Sequence, residues 1–468
     1  MGSPTGFLDE KRIENPFRNE DVRLGDFEDL HMPQPRETRH AQASRCMNCG
    51  VPFCQSDFGC PLHNLIPEWN DLLYRGQERE ALKRLLQTAP FPEFTGHVCP
   101  ALCEKACNLE NDATTNKDNE LYLIETGFAK GWIQPRLRGI GTGKRAAVIG
   151  SGPSGLAAAD LLNQLGHEVT VIEKADRPGG LLMYGIPNMK LPKAIVERRI
   201  RLMEAEGIRF ILNTEAVPEE LQGYDAVLMC GGARKARSLN VDHMDAQGVM
   251  FAVDYLTAAT KAVLGGAVSE ASAEGKHVVV VGGGDTGNDC VGTALRQKCA
   301  SVTQLEMMPA PPEERTKGNP WPEWPRILRT DYGQMEAIHR QGSDPRIYET
   351  TVKQIITDEW GRITELETVR LQRTPEGKFE QVAGSEQKLP CGLLLIAAGF
   401  VGCEDKTLER FALKADGRGR LMPEDGSHHL TGRLFSAGDM RNGQSLVVRA
   451  LADGRNAARE ADEWLKKA

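Results

Sequence analysis

Two glycine-rich turns, each set between a run of small apolar residues and an amphipathic helix pattern, constrain the fold of this chain most strongly. Their glycines have the order GxGxxG and are Gly150, Gly152 and Gly155 in the first turn and Gly282, Gly284 and Gly287 in the second. Glycine at these positions lets the backbone turn tightly and approach a pyrophosphate, whose charge is met by the helix N-terminus. We therefore predict two doubly wound dinucleotide-binding domains of the α/β class.

Each glycine motif is followed by a second predicted strand that ends in an acidic residue. Glu173 holds this position in the first unit and Glu306 in the second. A carboxylate there is placed to accept hydrogen bonds from ribose hydroxyls, which favours a dinucleotide site over a purely structural turn. Two such sites in one chain suggest a flavin in one and a nicotinamide in the other, which is the pairing of an oxidoreductase.

The twelve cysteines fall into two populations. Five are scattered singly and are expected to behave as small buried hydrophobes. The other seven precede residue 110 and are Cys46, Cys49, Cys54, Cys60, Cys99, Cys103 and Cys107. Clustered thiols in a reducing compartment usually bind metal or carry out redox chemistry. Zinc is the alternative to iron–sulfur, but structural zinc sites usually contain pairs of C-x2-C, and only one such pair is present.

We predict two 4Fe–4S clusters with crossed ligation. If CPALCEKACN is helical, Cys99 and Cys107 lie about 12 Å apart along the axis, too far to share one cluster. Two-cluster ferredoxins exchange an outlying cysteine in the same way. The first cluster then has the ligands Cys46, Cys49, Cys54 and Cys107, and the second has Cys60, Cys99 and Cys103. Seven thiols leave one of the eight ligand positions of two clusters unfilled, and Glu125 is a candidate for it. The alternative is that Glu125 is a solvated carboxylate on the surface of a helix.

Composition excludes several classes of protein. Hydrophobic residues at 40% and charged residues at 26% indicate a globular chain. A formal net charge of -8 argues against a nucleic-acid partner, because phosphate binding depends on Lys and Arg. The polar N-terminal sequence does not resemble a signal peptide, and no run reaches the roughly 18 apolar residues of a membrane span. We expect a cytoplasmic protein without membrane association.

The order of these features predicts three domains. A mainly helical, cysteine-rich iron–sulfur domain is expected over residues 1–140, with helices over 69–89 and 119–132. A flavin-binding domain follows over 141–240 and 400–468, interrupted by a nicotinamide-binding domain over 241–399. Asp439, in the GDM motif of the last segment, is expected to bond the ribityl or phosphate portion of the flavin, with a helix cap as its structural alternative.

Seven segments together resemble a known family. They are RCMNCGVPFC, GCPLHN, GHVCPALCEKACN, VIGSGPSGLAAA, GGLLMYGIPNMKLP, VVGGGDTGNDC and FSAGDMRNGQSLVV. In this order they resemble the small (β) subunit of bacterial NADPH-dependent glutamate synthase over essentially the whole chain. The same module is similar to the N-terminal part of dihydropyrimidine dehydrogenase and to subunits of ferredoxin-linked NADPH oxidoreductases.

The resemblance implies FAD, NADPH and two 4Fe–4S clusters as cofactors. For FAD it implies Gly150, Gly152, Pro153, Ser154, Gly155, Glu173, Gly180, Leu181, Gly185, Lys190, Gly438, Asp439, Ser445, Leu446 and Val447. For NADPH it implies Gly283, Gly284, Asp285, Thr286, Ala398 and Gly399. It also supports the crossed ligation and a non-cysteine eighth ligand, which falls on Glu125.

The function implied by the resemblance is electron input. NADPH would reduce FAD, and electrons would pass through the clusters to the large (α) subunit of glutamate synthase in a hetero-oligomer that forms glutamate from glutamine and 2-oxoglutarate. No catalytic acid or base is nominated, because hydride transfer needs mainly correctly stacked rings. Glu306 departs from the pattern, since its charge would repel a 2′-phosphate. The alternatives are a stand-alone or ferredoxin-coupled NAD(P)H oxidoreductase and a zinc-stabilised FAD-binding protein without electron output.

Overall fold

The structure is a computed structural model that describes residues 3–136, 140–269 and 271–467. Up to residue 129 the described chain forms short helices around a core that includes Trp69, Leu73 and Ile124. These helices are α1 Gly6–Asp9, α2 Glu20–Arg23, α3 Arg36–Ser44, α4 Ile66–Tyr74, α5 Glu78–Leu85, α6 Pro92–Val98, α7 Leu102–Lys105 and α8 Asn116–Ala129, with 3-10 helices at Phe53–Gln55 and Glu110–Asp112.

The single helix expected over 69–89 is two helices in the structure. α4 ends at Tyr74 and α5 begins at Glu78. Between them Gly76 has a φ of +73°, a left-handed conformation that glycine adopts without strain and that ends a helix. The turn lets both helices place apolar side chains, such as Leu73 and Leu82, in the same core.

The remainder of the chain alternates strands and helices. The helices are α9 Pro153–Gln164, α10 Leu181–Tyr184, α11 Lys193–Ala205, α12 Ala252–Gly265, α13 Asp285–Arg296, α14 Tyr332–Gln341, α15 Asp405–Arg410, α16 Asp439–Asn442 and α17 Val447–Leu465, with a 3-10 helix at Pro218–Leu221. The strands are β1 Arg145–Ile149, β2 Glu168–Ile172, β3 Arg209–Ile211, β4 Ala226–Met229, β5 Lys235–Ala236, β6 Val249–Phe251, β7 His277–Val281, β8 Ser301–Leu305, β9 Arg346–Ile347, β10 Thr350–Thr357, β11 Ile363–Arg373, β12 Phe379–Gln381, β13 Gln387–Pro390, β14 Leu393–Ile396, β15 Phe400–Gly402, β16 His429–Thr431 and β17 Leu434–Ser436.

Two sheets carry the two glycine motifs. The first has the order β16-β17-β4-β1-β2-β3 and is parallel except for β16. The second has the order β6-β14-β7-β8-β9 and is parallel throughout. In both, the strand before the glycine turn is central and buried, as its run of small or β-branched residues predicts.

The two sheets take their strands from different parts of the chain. The second sheet is assembled from residues 249–396, together with an antiparallel sheet of β10 to β13, and the first sheet takes strands from both sides of that insertion. The chain leaves the first domain after β5 and returns to it at β15, and these two short strands pair with each other. The boundary proposed at residue 140 follows residues 137–139, which lie outside the described residues.

A segment of the helical domain binds both dinucleotide domains. Arg23 is fully buried and pairs with Glu336 on α14 at 2.8 Å. Nearby, the N–H of Leu30 donates to the carbonyl of Met189 at 3.0 Å. These contacts hold the three regions against one another. Among the described residues, no helix combines the length and apolarity needed to cross a membrane.

Candidate functional site: two dinucleotide motifs and two cysteine cavities

The first glycine motif forms an open cradle for an anion. Gly150 has a φ of +99° and packs against Cys230, and a Cβ on Gly155 would overlap the carbonyl oxygen of Gly150. Gly152, in contrast, has no neighbouring atom within 4 Å of where a Cβ would lie. It precedes α9, which begins with Pro153 and has no side-chain cap, so the N–H groups of the first turn that remain for a ligand follow the proline. The arrangement fits a pyrophosphate.

Glu173 holds the first motif from the end of β2. Its Oε2 accepts hydrogen bonds from the backbone N–H of Ser151 at 2.9 Å and from the Ser151 hydroxyl at 2.6 Å. Its Oε1 accepts from the N–H of Ala175 at 2.9 Å. The carboxylate therefore fixes the turn as well as facing the space where a ribose would lie.

A cavity of about 530 Å³, here called the central cavity, opens beside this motif. It is large enough for a dinucleotide-sized ligand. Of the residues predicted for FAD, its lining includes Gly150, Gly152, Pro153, Ser154, Glu173, Gly180, Leu181, Asp439, Ser445 and Val447. The predicted Gly155, Gly185, Lys190, Gly438 and Leu446 are not among the residues that line it.

Lys190 has a different environment from the one predicted. Its ammonium group pairs with Asp289 on α13 at 2.9 Å, which connects the first dinucleotide domain to the second. The neighbouring Lys193 is buried and donates to the carbonyls of Leu182 at 2.8 Å and Ile186 at 2.6 Å. Burial lowers the pKa of Lys193 to about 7. Lys193 thus anchors the segment 182–186 that borders the central cavity.

The closing loop of the central cavity is built around Asp439. Its Oδ1 accepts from the Ser445 hydroxyl at 2.7 Å, and burial raises its pKa to about 6. Gly438, rather than Asp439, is the N-cap of the short α16. The N–H of Gly438 donates to Asp453 at 2.6 Å, and Asp453 also contacts Nε2 of His428 at 3.1 Å. A polar network on α17 therefore positions the loop, a feature that the sequence pattern did not reveal.

The second glycine motif repeats the geometry of the first. Gly282 has a φ of +123° and packs against Ala397, while Gly287 fits closely against Gly282. Gly284 again faces open space and precedes α13 without a side-chain cap. The predicted residues Asp285 and Thr286 begin α13, Gly283 lies in the turn, and Ala398 and Gly399 follow β14, the strand beside β7. This motif fits a second pyrophosphate.

Glu306 occupies the position equivalent to Glu173. Its Oε2 accepts from the N–H of Gly283 at 2.8 Å, and its Oε1 accepts from the N–H of Met308 at 2.8 Å. Both carboxylate oxygens are thus engaged by the backbone of the motif and of the residues after β8. The carboxylate of Glu306 is therefore held at the place where a ribose would bind.

The seven N-terminal cysteines surround two cavities. The first cysteine cavity is lined by Cys46, Cys49, Cys54 and Cys107. The second is lined by Cys60, Cys99 and Cys103. The structure thus brings together the predicted groups, although the helix assumed for CPALCEKACN is absent: α6 ends before Cys99, and α7 has only four residues. Within the described residues no group of three or more His, Cys, Asp or Glu side chains is arranged to hold a single metal ion.

Glu125 does not line the second cysteine cavity, and its assignment as eighth ligand is corrected here. Its carboxylate forms a two-point ion pair with Arg198 on α11, at 2.6 and 2.8 Å. Glu120, five residues earlier on α8, lines the cavity instead. Glu120 also accepts from the hydroxyl of Thr95, and burial raises its pKa to about 7. Three thiols and one carboxylate form a donor set that fits an iron–sulfur cluster.

These features define a class: a pyridine nucleotide oxidoreductase of the two-dinucleotide-domain flavoprotein fold, joined to an iron–sulfur domain. The family described as dihydropyrimidine dehydrogenase domain II, 4Fe-4S cluster matches residues 23–131. The family described as pyridine nucleotide-disulphide oxidoreductase matches residues 109–223 and 147–319. The predicted fold class is therefore confirmed.

Relatives narrow the class to one family. The small chain of glutamate synthase (NADPH) from Bacillus subtilis is 47% identical over 99% of this chain and 99% of its own length. The chain belongs to the glutamate synthase small chain family, which confirms the resemblance. Glutamate synthase (NADH) of Schizosaccharomyces pombe is 43% identical over 98% of this chain, but only 22% of that longer protein is covered.

A solved structure supports the fold independently of sequence. Mycobacterium tuberculosis FprA in complex with NADPH matches 69% of this chain and 85% of its own, with a TM-score of 0.50 and 17% identity. At this identity the likeness concerns only the arrangement of the polypeptide.

Proposed function

We propose that this chain is the electron-input subunit of a glutamate synthase. NADPH would bind at the second glycine motif, FAD in the central cavity, and one 4Fe–4S cluster in each cysteine cavity. When bound, the flavin accepts a hydride and the clusters carry single electrons. The chain's own residues bind these groups and hold them in order, so no general acid or base is required.

One observation carries the proposal: neighbouring residues line successive cavities. Val447 lines the central cavity, and Val448, the next residue on α17, lines the second cysteine cavity. Ile66 lines both cysteine cavities. The central cavity, the second cysteine cavity and the first cysteine cavity are therefore adjacent in that order. This arrangement suits electron transfer from a flavin toward the surface of the helical domain.

Exposure supports the same direction of transfer. Val51 and Phe58, which flank Cys54 in the chain, are 67% and 48% exposed. Burial raises the pKa of Cys46 in the first cavity and that of Cys60 in the second cavity to about 12, so the exposed neighbours, rather than the thiols themselves, distinguish the two cavities. The first cysteine cavity is thus the one nearer to solvent and to a partner protein.

Glu120 is proposed as the eighth cluster ligand in place of Glu125. It is the carboxylate that shares the second cysteine cavity with three thiols. Thr95 and Asn64 hold its two oxygens, with Asn64 at 3.4 Å from Oε2. A carboxylate already positioned by neighbouring side chains loses little conformational freedom on ligation.

The proposed partner is the large subunit of glutamate synthase, in a cytoplasmic hetero-oligomer. The name of the Bacillus subtilis relative implies a large chain, and the Schizosaccharomyces pombe relative contains the module within a much longer chain. In the described residues the two glycine motifs account for the nucleotide sites, and the electrons would leave through the helical domain. NADPH is proposed as the donor, and the charge of Glu306 is the feature that opposes it.

Anaerobic purification followed by iron, sulfide, zinc and flavin analysis tests the cofactor content. About eight iron and eight sulfide per chain are expected with two four-iron clusters. Stoichiometric zinc with little iron would support the zinc-stabilised alternative. The Cys49→Ser variant should lose one cluster and retain FAD, because Cys49 lies in a different domain from the first glycine motif.

Reconstitution tests the partner. The isolated chain should reduce ferricyanide with NADPH yet form no glutamate from glutamine and 2-oxoglutarate, and addition of the large subunit should restore synthesis. Glutamate formation by the isolated chain would contradict the proposal. Efficient reduction of ferredoxin, without any response to the large subunit, would favour the stand-alone oxidoreductase.

A further inference from the structure

A long loop of the second dinucleotide domain reaches the helical domain. Residues 307–330, here called the coupling loop, contain no helix or strand and are all described in the structure. The loop begins directly after Glu306, whose Oε1 accepts from the N–H of Met308 and whose Oε2 accepts from the N–H of Gly283. Its first residues are therefore tied to the glycine turn of the second motif.

The end of the coupling loop is tied to the same motif through α14. Asp331 caps this helix in a capping box. The Tyr332 hydroxyl donates to Asp289 on α13 at 2.9 Å, and the N–H of Gln334 donates to the side chain of Asn288 at 3.1 Å. Both ends of the loop thus depend on the position of the glycine turn and of the helix that follows it.

The loop has its own internal support. Asn319 is buried, and its side chain donates to the carbonyl of Trp324 at 3.0 Å and accepts from the N–H of Arg326 at 2.8 Å. The N–H of Leu328 donates to the carbonyl of Pro312 at 2.8 Å, which closes the base of the loop. A loop with a buried polar centre transmits a displacement of its base better than a flexible chain does.

The tip of the loop contacts the first cysteine cavity. Trp321 donates its indole N–H to the carbonyl of Cys107 at 3.1 Å. Its ring lies edge-on to Phe53, with centroids 4.9 Å apart, and Phe53 lines the first cysteine cavity. Trp324 packs against the hydrophobic core of the helical domain. The second dinucleotide domain therefore contacts a predicted cluster ligand directly.

We propose that the coupling loop links occupancy of the second dinucleotide site to the first cysteine cavity, with Trp321 as a positioning residue for Cys107. The inference rests on the proposed function, in which this cavity holds a cluster. Binding of a nucleotide at the glycine turn shifts the anchors at both ends of the loop and thereby the turn that carries Cys107. Coupling of this kind is reciprocal, so the redox state of the first cluster changes the affinity for nucleotide by the same factor.

The test uses the full chain with all its cofactors and oxidised NADP⁺ as the probe. Midpoint potentials of both clusters are measured by EPR-monitored titration with and without saturating NADP⁺, and the Cys49→Ser variant identifies the signal of the first cluster. A fivefold difference in NADP⁺ affinity between its redox states corresponds to a shift of about 40 mV for a one-electron couple. The second cluster serves as the internal reference for effects transmitted through the flavin.

Three variants separate positioning from folding. Trp321→Ala should abolish the NADP⁺-induced shift, and Trp321→Phe, which keeps a ring against Phe53 but lacks the N–H donor, should reduce it. Trp360→Phe is the matched control, because Trp360 lies in the same domain and is 69% exposed. In this control the shift should equal that of the unmodified chain.

Iron release to a chelator provides a second readout that does not depend on activity. NADP⁺ should slow the loss of iron from the first cluster in the unmodified chain and have no effect in Trp321→Ala. The inference is overturned if NADP⁺ binds to a fully loaded chain without shifting the first cluster, or if the shift persists in Trp321→Ala. Missing iron or missing NADP⁺ binding would instead overturn the proposed function, and the inference with it.

Discussion

Substitution of Gly152 by alanine should abolish tight FAD binding without destabilising the protein. Gly152 has φ and ψ of -66° and 179°, which alanine adopts without strain. No protein atom lies within 4 Å of the added methyl group, so the free energy of unfolding of the apoprotein should change by no more than about 0.5 kcal/mol. The methyl group occupies the space assigned to the pyrophosphate.

The loss of affinity follows from the hydrogen bonds that the pyrophosphate would forgo. A hydrogen bond to a charged group contributes about 1.5–3 kcal/mol, so displacement from one or two N–H donors costs roughly 2–4 kcal/mol. That corresponds to a 30- to 1000-fold rise in the dissociation constant for FAD. The assay is quenching of flavin fluorescence on titration of the apoprotein, with thermal unfolding measured in parallel.

Gly155→Ala is the contrasting variant. A Cβ at this position would overlap the carbonyl oxygen of Gly150, which is backbone and has no room to move. This variant should therefore lower the unfolding temperature of the apoprotein as well as FAD binding. The reasoning is refuted if Gly152→Ala binds FAD with normal affinity, or if both variants destabilise the apoprotein equally.

Three further predictions concern charged groups. Glu120→Ala should remove the second cluster, which metal analysis would show as a loss of about four iron per chain. Glu125→Ala should retain the cluster. Loss of its partly exposed ion pair with Arg198 should lower the free energy of unfolding by at most about 1 kcal/mol. Glu306→Gln should raise the ratio of kcat/KM for NADPH to that for NADH by about fivefold, because it removes a like charge worth about 1 kcal/mol near the 2′-phosphate. An unchanged ratio would contradict the placement. Burial lowers the pKa of His428, but hydrogen bonds to Asp453 and Glu460 outweigh burial and raise the pKa overall. The contribution of His428 to the free energy of unfolding is therefore complete below the unfolded pKa of about 6.5, and it is lost as pH rises through the raised pKa of the folded state. Urea unfolding between pH 6 and pH 9 should show a loss of about 1–2 kcal/mol that is absent in His428→Gln.

The local sequence was sufficient to predict the two glycine turns. The first and third glycines of each motif meet backbone within a few residues or on the neighbouring strand, and the middle glycine faces open space. The third glycine meets the first within the motif, so a short pattern predicted both turns, although the first glycine also meets a residue far away in the chain, Cys230 or Ala397. The order of the motifs also predicts a discontinuous first domain.

The eighth ligand could not be chosen from sequence by spacing alone. Glu120 and Glu125 lie on the same helix, α8, but are separated by roughly 140° around its axis, so they face different neighbours. Which face meets the cysteines depends on α6 and α11, which contribute Thr95 beside Glu120 and Arg198 beside Glu125. A helical phase argument that combined α8 with the position of Cys103 would have narrowed the choice.

Contacts between segments that are far apart in the chain could not be predicted from the sequence. The two tryptophans of the Pro-rich and Trp-rich stretch after β8 favour a packed loop, but nothing in its pattern indicates that Trp321 meets the carbonyl of Cys107. Lys190 was assigned to the flavin, yet its charge is needed by Asp289, a buried carboxylate of the other dinucleotide domain. Neither contact could be predicted, because pairing across domains leaves no periodic signal.

The interrupted first sheet has a consequence for how the protein is made. β4 pairs with β17, which follows the whole of the second dinucleotide domain in the chain. During translation the inserted domain, whose strands lie between residues 249 and 396, can fold while the first sheet still lacks an edge. Val448 of α17 completes the wall of the second cysteine cavity. We therefore expect loading of the central cavity and of the second cysteine cavity to follow synthesis of residues 429–465, whereas the first cysteine cavity and the second glycine motif do not depend on that segment.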